Sequence, residues 1–142
     1  MPPKKKDTVY LLLVVNDQIR NNLLKLLQEN NYSPIAVTEP NEILRILKGH
    51  QCATVFLDCG AVSNYGTGIC SKLKVACLDC RVVLLCDKSQ ESHRDIAREV
   101  MDIGIYACLW VPYEGWEVLT LVRHTPGKKQ PKKKTPKKML AN

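Results

Sequence analysis

Residues 8–15 read TVYLLLVV, a continuous apolar run rich in β-formers, and Asn16 and Asp17 follow it directly. A run of this kind is typical of a strand covered on both faces, because a strand with one face in solvent alternates apolar and polar side chains. Residues 19–29 then place isoleucine and leucine at helical spacing. The segment is therefore predicted to be a buried strand that leads into an amphipathic helix.

The same alternation of short apolar runs and helical patterns continues to residue 123. It predicts a parallel sheet with helices on both faces, because right-handed crossovers place each helix over the sheet. The expected fold class is α/β, a doubly wound five-stranded parallel sheet with the flavodoxin-like strand order 2-1-3-4-5. The further strands are predicted at 34–37, 53–57, 82–86 and 105–110, and the further helices at 41–48, 67–76, about 90–102 and 114–123.

The excess positive charge lies at the two ends of the chain. The 142 residues carry a net charge of +7, yet an N-terminal arm (1–7) holds three lysines and a C-terminal tail (124–142) holds seven without any acid. The body between them, residues 8–123, is slightly acidic and long enough for one domain. No run approaches a membrane span or a signal-peptide core, so a cytoplasmic location is expected.

Seven cysteines lie mostly inside apolar runs. Their odd number and the lack of an export signal indicate reduced, small core residues. Cys77 and Cys80 form a C-x-x-C, but no second close pair supplies the further ligands that zinc needs. We interpret this motif as a helix-to-strand turn with incidental cysteines.

Two carboxylates follow predicted strands that are neighbours in this order. Asp17 follows the first strand and Asp58 ends the third, and in this fold class ligands bind at the carboxyl ends of the strands. Two carboxylates there would share a site if a hard cation such as Mg²⁺ bound between them. The alternative is that Asp17, like Asn16, only caps the first helix. Asp58 ends an otherwise apolar strand, where an unpaired carboxylate is costly.

At this point the chain resembles the receiver domains of two-component response regulators, over roughly residues 8–123. The resemblance rests on Gly66, eight residues after Asp58, on Gly104, seven before Val111, and on four motifs. The motifs are VVNDQ (14–18), FLDCGAVSNYG (56–66), VVLLCD (82–87) and GIYACLWVP (104–112).

The resemblance implies a functional role for six positions. Asp58 falls on the phospho-accepting aspartate and Asp17 on the acid that ligates Mg²⁺ directly, whereas Asn16 replaces the second acid. Three other positions depart from the family. Cys86 stands where a threonine or serine bonds the phosphoryl group, Val111 where a lysine pairs with it, and Cys108 where an aromatic residue switches.

These replacements remove the parts that make phosphorylation a switch. Phosphoryl transfer depends on positioned positive charge, and Val111 offers none. A thiol at position 86 is a poorer hydrogen-bond donor than a hydroxyl. The resemblance also implies a cis peptide bond before Pro112, an isomer that X–Pro bonds tolerate.

Aromatic side chains gather near the end of the domain. Tyr106, Trp110 and Trp116 occupy the last predicted strand and helix. They either close the core under the last helix or form a contact face, the surface that receivers commonly use for dimers and partners.

The C-terminal tail is rich in lysine and proline, so it is expected to be disordered. Its Thr-Pro-Lys-Lys segment resembles histone-tail repeats, and its lysines would attract DNA or RNA in a salt-dependent way. Anionic membranes are a weaker alternative and a merely solubilising tail is another. The lysines are Lys128, Lys129, Lys132, Lys133, Lys134, Lys137 and Lys138.

Three functional hypotheses follow. The first is a stand-alone degenerate receiver, not an enzyme, that signals by contact with a protein partner or a second copy. The second is a nucleic-acid-associated protein whose body only dimerises. The third is a working phospho-receiver in which Asp17 and Asp58 hold Mg²⁺, which is the only cofactor considered.

Overall fold

Five parallel strands form one sheet in the order β2-β1-β3-β4-β5, which confirms the predicted fold class and strand order. The computed structural model describes residues 8–50, 52–77 and 79–123, so the expectations for the arm and the tail fall outside it. The strands are β1 (Thr8–Leu13), β2 (Pro34–Ala36), β3 (Cys52–Asp58), β4 (Asp79–Asp87) and β5 (Ala107–Val111). The helices are α1 (Asp17–Glu29), α2 (Pro40–Leu47), α3 (Cys59–Tyr65), α4 (Gly68–Ala76), α5 (Ser92–Ile103) and α6 (Gly115–Arg123).

The two faces of the sheet bury separate apolar clusters. Helices α1 and α6 cover one face, where Leu23, Leu27 and Val118 pack against Phe56. Helices α2 to α5 cover the other face, and their buried side chains contact Val55 and Leu57. The central strands are therefore apolar on both faces, as the continuous apolar runs predicted. No helix among the described residues is long and apolar enough to cross a membrane.

The structure contains one helix that the sequence pattern did not predict. Helix α3 occupies seven residues between β3 and α4, in a segment that carries two glycines, a serine and an asparagine. These residues are poor helix formers. Several boundaries also differ, since β1 ends at Leu13 instead of residue 15 and β4 begins at Asp79 instead of residue 82.

Two glycines noted in the sequence occupy the left-handed region of backbone space. Gly66 ends α3 with φ of 86° and Gly104 ends α5 with φ of 99°. A side chain at either position would be strained, because a Cβ clashes with the backbone in this region. Both turns therefore depend on glycine.

The cysteines lie in or beside the core, as predicted. Cys59, Cys70, Cys77 and Cys86 are buried, whereas Cys52, Cys80 and Cys108 are partly exposed. All except Cys52 lie in or against the cluster beneath α2 to α5.

Candidate functional site

A cavity of about 260 Å³ lies at the carboxyl ends of the central strands. We call it the strand-end cavity. Asn16 and Asp58 line one side of it, and Asp87, Gln90 and His93 line the other. It corresponds in position to the site expected from the sequence. Gln90 and His93 were not predicted to belong to it, because they reach it from the loop after β4 and the first turn of α5.

Asp58 is buried, with 3% of its surface exposed, and its carboxylate accepts three backbone hydrogen bonds. Oδ1 accepts from the amides of Val15 and Ala61, each at 3.0 Å. Oδ2 accepts from the amide of Asn16 at 2.9 Å. Because Ala61 lies in α3, Asp58 is also the N-cap of that helix. The carboxylate thus joins the β1–α1 loop to β3 and α3.

Asp17 does not reach the strand-end cavity among the described residues. Its side chain is 82% exposed and forms a salt bridge with Arg20 at 2.6 Å. Arg20 also donates to the carbonyl of Val14 at 3.0 Å. Asn16 caps α1 by accepting from the amide of Ile19 at 2.9 Å, with Asp17 in the first turn. The structure therefore makes Asn16 the N-cap of α1 and places Asp17 in the first turn of that helix.

Asp17 and Asp58 are not brought together in the structure as a pair of ligands for Mg²⁺. Magnesium requires several oxygen ligands in octahedral geometry, commonly with two carboxylates. Asp58 directs its oxygens at three amides, and Asp17 pairs with an arginine outside the cavity. No group of three or more histidine, cysteine, aspartate or glutamate side chains is arranged to hold a metal within residues 8–50, 52–77 and 79–123.

On the opposite side of the cavity, Asp87 and His93 are joined through the backbone. The amide of Asp87 donates to Nδ1 of His93 at 2.9 Å. The Asp87 carboxylate accepts from the hydroxyl and the amide of Ser89, at 2.7 and 2.9 Å. These two bonds, together with the nearby imidazole, lower the pKa of Asp87 below its ordinary value. The charges and bonds here stabilise the loop that follows β4.

Cys86 lies at the predicted position near the end of β4, and it is fully buried. The thiol of Cys59 donates to its sulfur at 3.2 Å. A hydrogen bond from Cys86 to Cys108 lowers the pKa of Cys108, and the bonds with both neighbours raise the pKa of Cys86. Cys86 therefore contacts sulfur on two sides.

Val111 and Pro112 lie at the edge of a second cavity of about 460 Å³, together with Gln18 and Tyr113. Burial raises the pKa of Tyr113, which keeps its hydroxyl protonated. The Val111–Pro112 peptide bond is cis, the isomer expected at this position. The valine presents an apolar side chain where the resemblance implies a lysine.

The aromatic residues occupy the edge of the sheet around β5. Trp116 is 65% exposed and Tyr106 is 42% exposed, whereas Trp110 is partly buried. The Arg81 guanidinium lies 4.3 Å from the centre of the Tyr106 ring and bonds its hydroxyl at 3.1 Å. Trp116 and Tyr106 therefore do not close the core, since both remain open to solvent.

A groove of about 760 Å³ lies beside this edge, and we call it the α5–β5 groove. Its lining combines three basic side chains with apolar ones. Lys88, Arg94 and Arg98 are exposed. The full lining is Lys88, Arg94, Ala97, Arg98, Met101, Cys108 and Trp110.

Comparison with known proteins identifies the fold. Neither a protein-family model nor a curated protein matches the sequence. Solved structures of response-regulator receiver domains match over most of the chain. The chain therefore has the fold of receiver domains, the class that the sequence resembles.

Three solved structures illustrate the likeness. A CheY-like protein, tadZ from Pseudomonas aeruginosa PAO1, matches with a TM-score of 0.67 at 15% identity, over 83% of this chain and 98% of that one. A putative response regulator from Chloroflexus aurantiacus J-10-fl matches with a TM-score of 0.65 at 18% identity, over 84% and 96%. NtrX from Brucella abortus, in complex with ADP, gives 0.65 at 13% identity, over 82% of this chain. The chain spans only 25% of the length of NtrX.

Proposed function

We propose that this protein is a stand-alone degenerate receiver that acts in signal transduction by protein–protein contact and without the standard phosphorylation switch. It is not an enzyme in this proposal, and its reduced thiols suit the cytoplasm. The observation that carries the proposal is the bonding of Asp58. Its carboxylate serves as a structural acceptor for three amides.

The surroundings of Asp58 support the same conclusion. A phospho-accepting carboxylate needs cations to neutralise the charge that develops on the transferred group. Asp17 lies outside the cavity. Val111 carries no charge, and the buried thiol of Cys86 bonds to sulfur. The site therefore lacks the electrostatic parts of the reaction.

The exposed edge around β5 supports a role in contact. Aromatic residues are rare in this chain, and exposed ones are favoured as interface anchors. Trp116 at the start of α6 and Tyr106 just before β5 are exposed, and the α5–β5 groove carries basic side chains. A partner protein with an acidic and apolar surface, or a second copy of the chain, would complement this edge.

The absence of a phosphorylation switch is tested with small phosphodonors. The full-length protein is incubated with acetyl phosphate and Mg²⁺, or with beryllofluoride and Mg²⁺, and examined by intact mass and by NMR. We expect no phospho-adduct and no perturbation around Asp58. An adduct on Asp58 would instead establish the working phospho-receiver with Asp17 and Mg²⁺.

The contact surface is tested by self-association. Sedimentation velocity of the full chain is compared between wild type, Trp116→Ala and Val75→Ala. Val75 is a matched control because it is exposed and apolar but belongs to α4. Trp116→Ala removes an aromatic anchor and is expected to weaken self-association about tenfold. Val75→Ala should leave self-association unchanged. If the wild-type protein is a monomer, the same variants are compared for binding to a partner protein. Equal effects of Trp116→Ala and Val75→Ala would contradict the proposed surface.

A second candidate function rests on the tail. Seven lysines without an acid between residues 124 and 142 would attract DNA or RNA through phosphate contacts, with the body as a dimerisation module. Binding to duplex DNA is measured at two salt concentrations with and without these residues. Affinity that is strong, salt-dependent and lost on truncation supports this function. Affinity unchanged by truncation excludes it.

A further inference from the structure

Three thiols form a continuous chain between the α5–β5 groove and the strand-end cavity. Cys108 lines the groove and Cys59 lines the cavity. Cys86 lies between them, with its sulfur 3.2 Å from that of Cys59 and hydrogen-bonded to Cys108. Cys59 and Cys86 are almost fully buried, whereas Cys108 is partly exposed. Only one member of the chain is therefore open to a reagent in solution.

The groove around Cys108 favours a thiolate and an anionic ligand. Three basic side chains, Lys88, Arg94 and Arg98, line it. The bond from Cys86 lowers the pKa of Cys108. A lowered pKa makes a cysteine more reactive, because the thiolate is the nucleophile. A cavity of this size is large enough for a small organic ligand.

We propose that the three cysteines are a thiol–disulfide relay, in which Cys108 reacts with a disulfide of an anionic low-molecular-weight thiol and the Cys59–Cys86 pair becomes oxidised. The oxidant is of the glutathione disulfide class, whose carboxylates complement the basic lining of the groove. The relay requires neither a kinase nor phosphorylation of Asp58, although Cys59 directly follows Asp58 and lines the same strand-end cavity.

The relay consists of three exchange steps. The Cys108 thiolate attacks one sulfur of the small disulfide, which forms a mixed disulfide and releases one small thiolate. Cys86 loses its proton and attacks the sulfur of Cys108, which releases the second small thiolate and joins Cys86 to Cys108. Cys59 then loses its proton and attacks the sulfur of Cys86, so that Cys108 leaves as a thiolate. Two protein thiols are thereby oxidised, one disulfide is reduced, and the two protons pass to the released thiolates.

The geometry explains why the Cys59–Cys86 bond is the final product. Cys108 pairs with Leu84 and Cys86 pairs with Trp110, so Cys86 and Cys108 occupy diagonal positions on adjacent strands. A two-residue offset along parallel strands separates their Cα atoms more than direct pairing does, so a bond between Cys86 and Cys108 requires a backbone shift. The Cys59 and Cys86 sulfurs already lie 3.2 Å apart. Cys59 therefore replaces Cys108 as the partner of Cys86 in the final disulfide.

The relay is tested with glutathione disulfide as the probe. The reduced full-length protein is incubated with it, the remaining thiols are alkylated, and disulfides are mapped by mass spectrometry. Wild type should yield a Cys59–Cys86 disulfide with Cys108 alkylated. Cys86→Ala should stop with one glutathionyl group on Cys108, and Cys59→Ala should accumulate the Cys86–Cys108 link or the mixed disulfide. Circular dichroism checks that each variant is folded.

The contribution of the basic side chains in the α5–β5 groove is tested separately. Arg94→Gln combined with Arg98→Gln should slow the reaction with glutathione disulfide about fivefold, because two attractive charges are removed. The neutral disulfide of 2-mercaptoethanol should react at an unchanged rate. Arg45→Gln, an exposed arginine of α2, should change neither rate.

Two results would overturn the relay. One is the lack of a Cys59–Cys86 disulfide in wild type after exhaustive incubation. The other is its formation at the wild-type rate in Cys108→Ser, because the first reacting thiol would then lie elsewhere. Cys80→Ser serves as the matched variant, since Cys80 is also partly exposed but lies at the opposite end of β4.

Discussion

The edge formed by the carboxyl ends of the strands has two halves with different chemistry. In the half around β1 and β3, the carboxylate of Asp58 accepts bonds from the amides of Val15, Asn16 and Ala61. In the half around β4 and β5, Cys86 and Cys108 place sulfur against sulfur and Val111 is apolar. The first half is a network of charge and backbone bonds. The second half combines sulfur and apolar contacts with the bonds between Asp87 and Ser89 in the loop after β4.

The difference shows that a residue at the candidate site can have a structural role of its own. Asp58 links three elements of the fold and caps α3, so its removal would disturb the fold even where no phosphate is bound. Cys86 and Val111 have no comparable bonding to the backbone in the contacts described for them. Asp58 therefore has a structural role, whereas the side chains of Cys86 and Val111 make no bond to the backbone in the contacts described.

The largest effect is expected for Asp58→Ala. The variant leaves buried amides without their acceptor, so the free energy of unfolding should fall by about 3 kcal/mol. Urea denaturation measures it. Asp17→Ala, at an exposed salt bridge, should lose less than about 1 kcal/mol. Equal losses in the two variants would show that the bonds of Asp58 to three amides do not stabilise the fold in the way described.

A smaller effect is expected in the sulfur half for Cys86→Ser. The hydroxyl enters a fully buried position between two thiols. Burial of a poorly bonded hydroxyl costs about 1–3 kcal/mol, so this loss should be smaller than that of Asp58→Ala. The same denaturation measurement checks it. Cys86→Ala places no polar atom at this buried position. A larger loss of unfolding free energy for Cys86→Ala than for Cys86→Ser would contradict the description of the position as apolar.

Val111→Lys should change stability by less than about 1 kcal/mol, because a lysine at this partly exposed position can extend its amine to water. The variant restores the charge that the resemblance implies. We still expect no phospho-adduct with acetyl phosphate and Mg²⁺, since the Asp58 oxygens remain bonded to amides. Adduct formation in this variant alone would show that the missing lysine is the single obstacle.

The smallest effect concerns acid stability at Asp87. Hydrogen bonds from Ser89 lower its pKa in the folded state, so its stabilisation is present above about pH 4 and is lost as the pH falls through the folded-state pKa. Asp87→Asn should therefore flatten the dependence of the unfolding midpoint on pH between about 5 and 2. Asp102→Asn, at another exposed acid, is the control. An unchanged slope in Asp87→Asn would contradict the prediction.

The fold could be predicted because its strands are continuous apolar runs. Residues 53–57 and 82–86 can be buried on both faces only in a parallel sheet, which determines the layers. Helix α3 could not be predicted from periodicity, since its seven residues include poor helix formers. It is stabilised by the carboxylate of Asp58, a tertiary feature of the strand before it.

The candidate site was predicted in position but not in bonding. Asp58, Cys86 and Val111 lie near the strand ends, as the order of strands required. The sequence did not indicate that Asp17 turns outward to Arg20, because both orientations suit an acid at the start of a helix. His93 was not predicted at the site, and the cavity lining and the bond from the Asp87 amide show that it belongs there.

The outer strand β2 affects how copies of this domain can meet. It has only three residues and begins with a proline, which has no amide proton to donate. A short edge with a proline offers little to an incoming strand from another molecule. Strand β5, at the other side of the sheet, has five residues and no proline. Edge-to-edge pairing between molecules is therefore discouraged at one side of the sheet, and an assembly that extends the sheet would have to grow from the other.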